Sequence, residues 1–201
     1  MRLHRNLVFT TIDSLMAIFN EEEYADKVVA RALKKDKRWG SHDRKFVAET
    51  IYEIVRWKRL YAEIAEVKEP FDRDKIWRIF AVWAVLRGYT LPDWKYFEDT
   101  PVRRIKGRFD ELSKIRKYRE SIPDWMDELG VKELGEETWT KELAAQNEQA
   151  KVILRVNKLK TTKEKLRAIL MDLNIETEFH KDYPDALILT ERANVFLTDA
   201  F

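Results

Sequence analysis

The chain has 201 residues, 45% of them hydrophobic and 37% charged, with a net charge of +2, seven Trp, ten Phe, five Gly and no Cys. That composition supports a sizeable core and leaves length for more than one module. It excludes disulfides, thiolate nucleophiles and cysteine-ligated zinc or iron–sulfur clusters within these residues, and fits a cytoplasmic protein; no window approaches the ~20 apolar residues of a membrane span, and Asp13 interrupts the only N-terminal stretch resembling a signal peptide.

Helical periodicity governs roughly the first 119 residues. Leu7, Val8, Ile12, Leu15, Met16 and Phe19 form the apolar side of a first helix, and Tyr24, Val28, Val29, Ala32 and Leu33 that of a second. Ser41-His42-Asp43-Arg44 opens a long third helix whose buried stripe runs through Phe46, Val47, Ile51, Ile54 and Val55 to Tyr61 and Ile64, and Pro70 ends it. Asp72 or Asp74 caps a fourth, in which Ile76, Trp77, Ile79, Phe80, Val82, Trp83, Val85 and Leu86 cover most of the circumference; this predicts the central helix, with Gly88 at its C-terminal cap. An irregular region follows from Leu91-Pro92, and residues 120–150 read as an acidic helical connector.

The pattern changes after residue 150. Val152–Asn157 reads as a strand, Thr161-Thr162-Lys163-Glu164 starts a helix running to about Leu173, and Ile175–Phe179 and Ala186–Leu189 read as two more strands around a Tyr183-Pro184-Asp185 turn. Ala193–Leu197 supplies an edge or linking segment. The expected fold class is therefore mainly α, with a helical bundle over 1–119, the connector over 120–150 and a small, incomplete α/β unit over 151–201; the aromatic end at Phe201 straight after an apolar run reads as a truncation.

Charge is unevenly placed. Arg31–Arg59 holds ten Lys or Arg against four acids, and Lys95–Arg119 holds nine against four, whereas residues 120–149 hold nine acids and two lysines. Two basic stretches in a nearly neutral chain point to a surface that faces a polyanion; solvated helix faces explain either stretch alone equally well. Residues that could suggest catalysis have simpler roles. His42 beside Asp43 has no nucleophile near it and suits a helix first turn, Glu21-Glu22-Glu23 points in three directions, and five Gly provide neither a dinucleotide loop nor a Walker loop. Trp77 and Trp83 lie in the most apolar helix and read as core rather than base-stacking platforms.

The run Asp43-Arg44-Lys45-Phe46-Val47-Ala48-Glu49-Thr50-Ile51-Tyr52-Glu53-Ile54-Val55-Arg56 resembles a stretch in the N-terminal helical domain of the RNA cytosine-C5 methyltransferases of the Sun and nucleolar-protein family, a domain similar to the antitermination factor NusB. Ile122-Pro123-Asp124-Trp125-Met126 resembles that family's Pro-x-Trp helix start. Leu143-Ala144-Ala145-Gln146-Asn147 and Leu154-Arg155-Val156-Asn157-Lys158-Leu159-Lys160-Thr161-Thr162 resemble its Leu-x-x-x-Asn and Leu-Arg-Val-Asn-x-Leu-Lys-x-Thr signatures. The stretch around Arg103–Arg119 matches no family pattern. The resemblance implies a NusB-like bundle followed by an RNA-recognition-like unit, and, in the parent enzyme, a Rossmann-like S-adenosylmethionine domain with the catalytic cysteines outside these residues. There a thiolate would attack cytosine C6, the methyl group would pass to C5, and loss of the C5 proton would release the enzyme.

These residues alone are then not an enzyme and hold no cofactor or metal, but bind and position substrate for a rRNA- or tRNA-modifying transferase. The expected partners are structured rRNA or tRNA and the chain's own catalytic domain. A helical adaptor that binds another protein is the alternative. Candidate RNA contacts are Lys37, Arg38, Arg44, Lys45, Arg56, Lys58 and Arg59 around the third helix, with Lys37, Arg38, Lys45, Lys58 and Arg59 carrying most weight as phosphate contacts. Arg155 and Asn157 match the small unit's Arg-Val-Asn positions. For Arg56, Arg155 and Asn157 an ion pair or a turn hydrogen bond is an equal reading.

Overall fold

The computed structural model describes residues 2–200, so the terminal Phe201 lies outside the described residues. The chain divides into two compact units between Gln146 and Asn147. The architecture is mainly helical with a small α/β unit, as the periodicities predict, and the sheet of that unit is antiparallel.

The first unit contains α1 (Arg5–Asn20), α2 (Ala25–Ala32), α3 (Ser41–Arg56), α4 (Lys58–Ile64), α5 (Arg73–Leu86), α6 (Val102–Leu112), α7 (Arg116–Arg119), α8 (Asp124–Leu134) and α9 (Glu136–Asn147). A helix apolar all round must be enclosed, and α5 is: Ile76, Trp77, Ile79, Phe80, Ala81, Val82, Trp83, Ala84 and Val85 are all buried, and α1, α3, α4 and α6 pack against it. Asp72, not Asp74, caps it by accepting from Lys75 N at 2.9 Å. At its other end Tyr89 N donates to Ala84 O and Gly88 N to Val85 O, with Gly88 at φ 75°, the left-handed geometry that a residue without Cβ adopts at no steric cost. Trp77 and Trp83 are 1% and 3% exposed, as core residues should be. Trp77 stacks on Tyr96 with centroids 4.2 Å apart, and Phe9 meets its edge at 5.2 Å.

The single long third helix expected over Ser41–Ile64 is two helices. The backbone leaves helical geometry at Trp57 (φ −100°, ψ 20°), where the ring is half-buried beneath the Arg56 guanidinium, and α4 starts afresh at Lys58. The apolar pattern continues across this break because both helices face the same core, so periodicity alone does not reveal it: Val47, Ile51, Ile54, Leu60, Tyr61 and Ile64 are all buried.

The residues expected as an acidic connector are the helices α8 and α9, which belong to the first compact unit and meet at Gly135. A Cβ at Gly130 would overlap the Trp139 indole, so the two helices approach where α8 has no side chain. Asp127 holds the pair from the side, accepting from Trp139 Nε1 at 3.0 Å and from Arg116 Nε at 2.7 Å.

The second unit contains β1 (Ile153–Arg155), α10 (Lys163–Asp172), β2 (Thr177–Phe179) and β3 (Ala186–Leu189). All three strands are antiparallel to their neighbours, in the order β1-β3-β2, with Leu154 opposite Leu187 and Leu187 opposite Phe179. The first and second strands therefore run parallel with the third inserted between them, a split β-α-β arrangement. Leu166 and Leu170 of α10 close the core over Val156 and Leu187. Thr162 caps that helix by accepting from Lys165 N. Of the two expectations for Ala193–Leu197, an edge or a linking segment, the structure shows the link: Val195–Leu197 forms one 3₁₀ turn, started by the Asn194 side chain accepting from Phe196 N.

Candidate nucleic-acid interface

The candidate cations of the first unit fall at the two ends of α3, separated by about 18 Å for the twelve residues between Arg44 and Arg56 at the standard helical rise. At the first end, the connection from α2 to α3 turns back on itself, and Arg44 holds both of its shoulders. Its Nη1 donates to Leu33 O at 2.5 Å and its Nε to Trp39 O at 3.2 Å. Asp43 reaches back to Gly40 N at 3.2 Å and starts the helix. The Asp-Arg pair that opens the family-like motif thus shapes the backbone rather than projecting into solvent. Lys37 is exposed at the tip of the turn and, among the described residues, pairs with no carboxylate. Arg38 folds onto Asp36, donating from Nε at 3.0 Å and Nη2 at 2.7 Å while its backbone N–H adds a third bond at 2.9 Å. Those bonds hold the Asp36 carboxyl down to about 2. Lys45 is exposed on the first turn of α3, 3.8 Å from Glu49.

At the second end, Arg56, Lys58 and Arg59 line one groove of about 510 Å³ together with Glu63, Glu69 and Ile122. Arg56 lies over the Trp57 ring at 4.7 Å; desolvation lowers its pKa, and the charge of Glu120 works against that shift. Lys58 pairs with Glu69 at 2.7 Å. Arg59 ties α4 to the start of α8: it donates to Ile122 O and, at 2.6 Å, to Asp124 Oδ1, with its guanidinium 4.9 Å from the centre of the Tyr118 ring. Only the shared groove unites these three, since each already has an intramolecular contact.

The basic stretch Arg103–Arg119, for which the sequence offers no path, forms α6 and α7, and most of its cations are engaged within the first unit. Arg104 pairs with Glu66 at 2.7 Å, Arg116 with Asp127, Lys117 with Asp124 at 2.9 Å and Arg119 with Glu120 at 2.8 Å. Sequence reading also misses a triad in the core wall. Tyr61 donates its hydroxyl to Glu53 Oε1 at 2.8 Å and Arg87 donates to the same oxygen at 2.7 Å. Burial, then the Glu53 charge, raises the Tyr61 pKa. The 34-residue separation of Arg87 from Glu53 leaves no local signal for this contact.

In the second unit, alternation along β1 separates the two residues of the Arg-Val-Asn motif from the valine between them. Val156 is buried under α10, and Arg155, opposite Ala186, is exposed on the sheet face away from that helix, next to Ile153 and Ile188. Arg155 forms no salt bridge among the described residues. Asn157 organises a turn: its Oδ1 accepts from Leu159 N at 3.1 Å, and its carbonyl accepts from Lys160 N and Thr161 N. The hydrogen-bond parity of β1 leaves its outer edge open. Val156 N donates to Asp185 O and Val152 O accepts from Leu189 N, so the peptide groups of Ile153 and Arg155 point away from β3.

Among the described residues, no group of three or more His, Asp or Glu is placed to hold a metal ion, and no helix is long and apolar enough to cross a membrane. The described sheet is wholly antiparallel and lacks the parallel strand, glycine-rich turn and helix that would cradle an adenosyl cofactor.

A split β-α-β unit with a helix packed on one sheet face is the arrangement that opens a ferredoxin-like fold. Residues 122–196 match the family described as Methyltr_RsmF/B-like, ferredoxin-like domain, so this part of the chain is similar to the ferredoxin-like domain of RsmF/B-like methyltransferases. A solved structure titled "Crystal Structure of PH0851" superposes with a TM-score of 0.60 at 18% identity, covering 100% of this chain and 52% of that one. The likeness shows a shared fold, and the chain spans about half the length of that protein. No curated protein matches the chain significantly.

Proposed function

We propose that this chain is the RNA-engaging, substrate-positioning region of an S-adenosylmethionine-dependent RNA cytosine-C5 methyltransferase, with cofactor and catalytic cysteine supplied by a domain outside these residues. The match of residues 122–196 to the RsmF/B-like ferredoxin-like domain carries this reading, because it spans the unit whose open sheet face presents Arg155. Structured rRNA or tRNA is held through phosphate charge and shape, by a NusB-like helical domain and by the sheet face together, and a target cytosine is thereby aligned with the distant active site. On this reading the described residues bind and position the RNA, and the catalytic residues belong to the other domain.

Fluorescence anisotropy with structured rRNA and tRNA fragments over a salt series tests the reading. Salt-dependent binding without methyl transfer by the chain alone is expected. Turnover by this chain with methyl donor and RNA, or no RNA binding at low salt, would overturn it. A protein-adaptor role has its own supporting observation: Trp125 and Leu129, one helical turn apart on α8, are 61% and 48% exposed. Failure to bind RNA would favour it.

A further inference from the structure

The candidate contacts read from the sequence cluster around α3, yet the structure gathers a different set of cations in a groove between α1 and α2. Its lining is Thr10, Asp13, Ser14, Arg31, Lys34 and Lys35, with Val28 and Ala32 at its floor, and its volume is about 380 Å³. The charge in and around this groove is positive. Asp13 is shared between Lys35 at 3.5 Å and Arg73 at 2.8 Å, Arg31 holds Glu23 at 2.7 Å and also feels the Glu21 charge, and Lys34 pairs with no carboxylate among the described residues, so four cations face three carboxylates. The C-terminus of α2 would ordinarily repel an anion. Here its carbonyls are occupied: Val29, Arg31 and Ala32 accept backbone N–H groups, and Leu33 accepts from the Arg44 guanidinium. Arg44 thus neutralises the helix end beside the groove.

We infer that the α1–α2 groove is a phosphate subsite for the backbone of the bound RNA, with Lys34 and Lys35 as the principal contacts and Arg31 recruited from Glu23. The inference rests on the proposed RNA-binding function and locates part of it. Lys34 and Lys35 supply point charges on flexible stems, while the Arg31 fork can exchange one carboxylate for a phosphate of matching geometry. Thr10 and Ser14 are small hydroxyl residues on the α1 wall, on either side of the Asp13 carboxylate that Lys35 and Arg73 neutralise. Lys37 is exposed on the turn that follows.

Two measurements on the full chain test this. Inorganic phosphate is titrated while backbone amide shifts are followed; selective movement at Thr10, Ser14, Lys34 and Lys35, abolished in Lys34→Gln/Lys35→Gln, is expected, and shifts spread evenly over the basic surface would overturn the subsite. RNA binding is then measured across a salt series. The double variant should lower the logarithmic salt slope by about 0.7–0.9 for each lysine–phosphate pairing that it removes. Glu23→Gln, which releases Arg31, should tighten binding several-fold, a gain that a folding defect cannot imitate. RNA binding with the slope unchanged in the double variant and no gain in Glu23→Gln would sink the groove and leave the proposed function standing. Selective phosphate shifts in a chain that binds no structured RNA would sink the function and leave an anion site.

Discussion

Replacing Arg44 separates a structural arginine from an RNA contact, because the two roles predict opposite outcomes. Arg44 is half-buried and donates to two carbonyls on opposite shoulders of the α2–α3 turn, at 2.5 and 3.2 Å. Arg44→Met keeps most of the aliphatic stem and deletes both donors. Hydrogen bonds from a charged group contribute about 1.5–3 kcal/mol in buried settings, and the longer bond here and the partial exposure both reduce that figure, so a loss of about 2–3 kcal/mol for the pair is expected. With a urea dependence of about 2 kcal/mol per molar, the unfolding midpoint should fall by about 1–1.5 M. All seven Trp lie in the first compact unit, so tryptophan fluorescence reports on that unit alone. Arg44→Lys should recover about half of the loss, because one ammonium cannot span both carbonyls. Below the unfolding transition, the salt slope of RNA binding should be unchanged in both variants. Stability within about 0.5 kcal/mol of the parent, combined with a slope lowered by about 0.7–0.9, would refute the structural role and return Arg44 to the phosphate contacts.

Gly130→Ala forces a methyl group into the Trp139 indole and should cost about 1–3 kcal/mol, with faster amide exchange in α9 as the local readout; unaltered protection there would show that the two helices can move apart freely. Asp36 should titrate near 2 in the folded chain instead of at its ordinary 3.8. Its pairing with Arg38 therefore contributes stability above about 3.8 that is lost as pH falls through about 2, and Arg38→Gln should bring the carboxyl midpoint, followed by NMR, back toward 3.8. A midpoint that does not move would mean that Arg38 is not the cause. Thr162→Ala removes the cap of α10 and should cost the second unit about 1 kcal/mol, seen as lost exchange protection at Lys165 and the amides after it. The tryptophan-reported transition of the first unit should not shift.

Much of the fold is legible without coordinates because it rests on local chemistry. Apolar residues on every side of Ile76–Leu86 require a buried helix, an aspartate three residues before Lys75 can cap it, and Gly88 can end it. The change from helical spacing to a Val- and Ile-rich run likewise announces a second unit whose third strand, Ala186–Leu189, lies where the pattern places it. The break at Trp57 is not legible, since both flanking helices bury the same stripe and the apolar rhythm passes through it.

Charge shows the limit of sequence most clearly. Sequence determines that Arg31–Arg59 is basic, and residue type places both Lys37 and Arg44 among the candidate contacts. Tertiary structure decides that Arg44 turns inward to two carbonyls, that Arg59 spans to Ile122 and Asp124, and that Arg31, Lys34 and Lys35 share a groove with a helix 20 residues earlier in the chain. The physical reason is range. Periodicity and capping act within a few residues, where the backbone fixes which side chains meet; a long cationic side chain chooses its partner through distances set only when separate helices pack together.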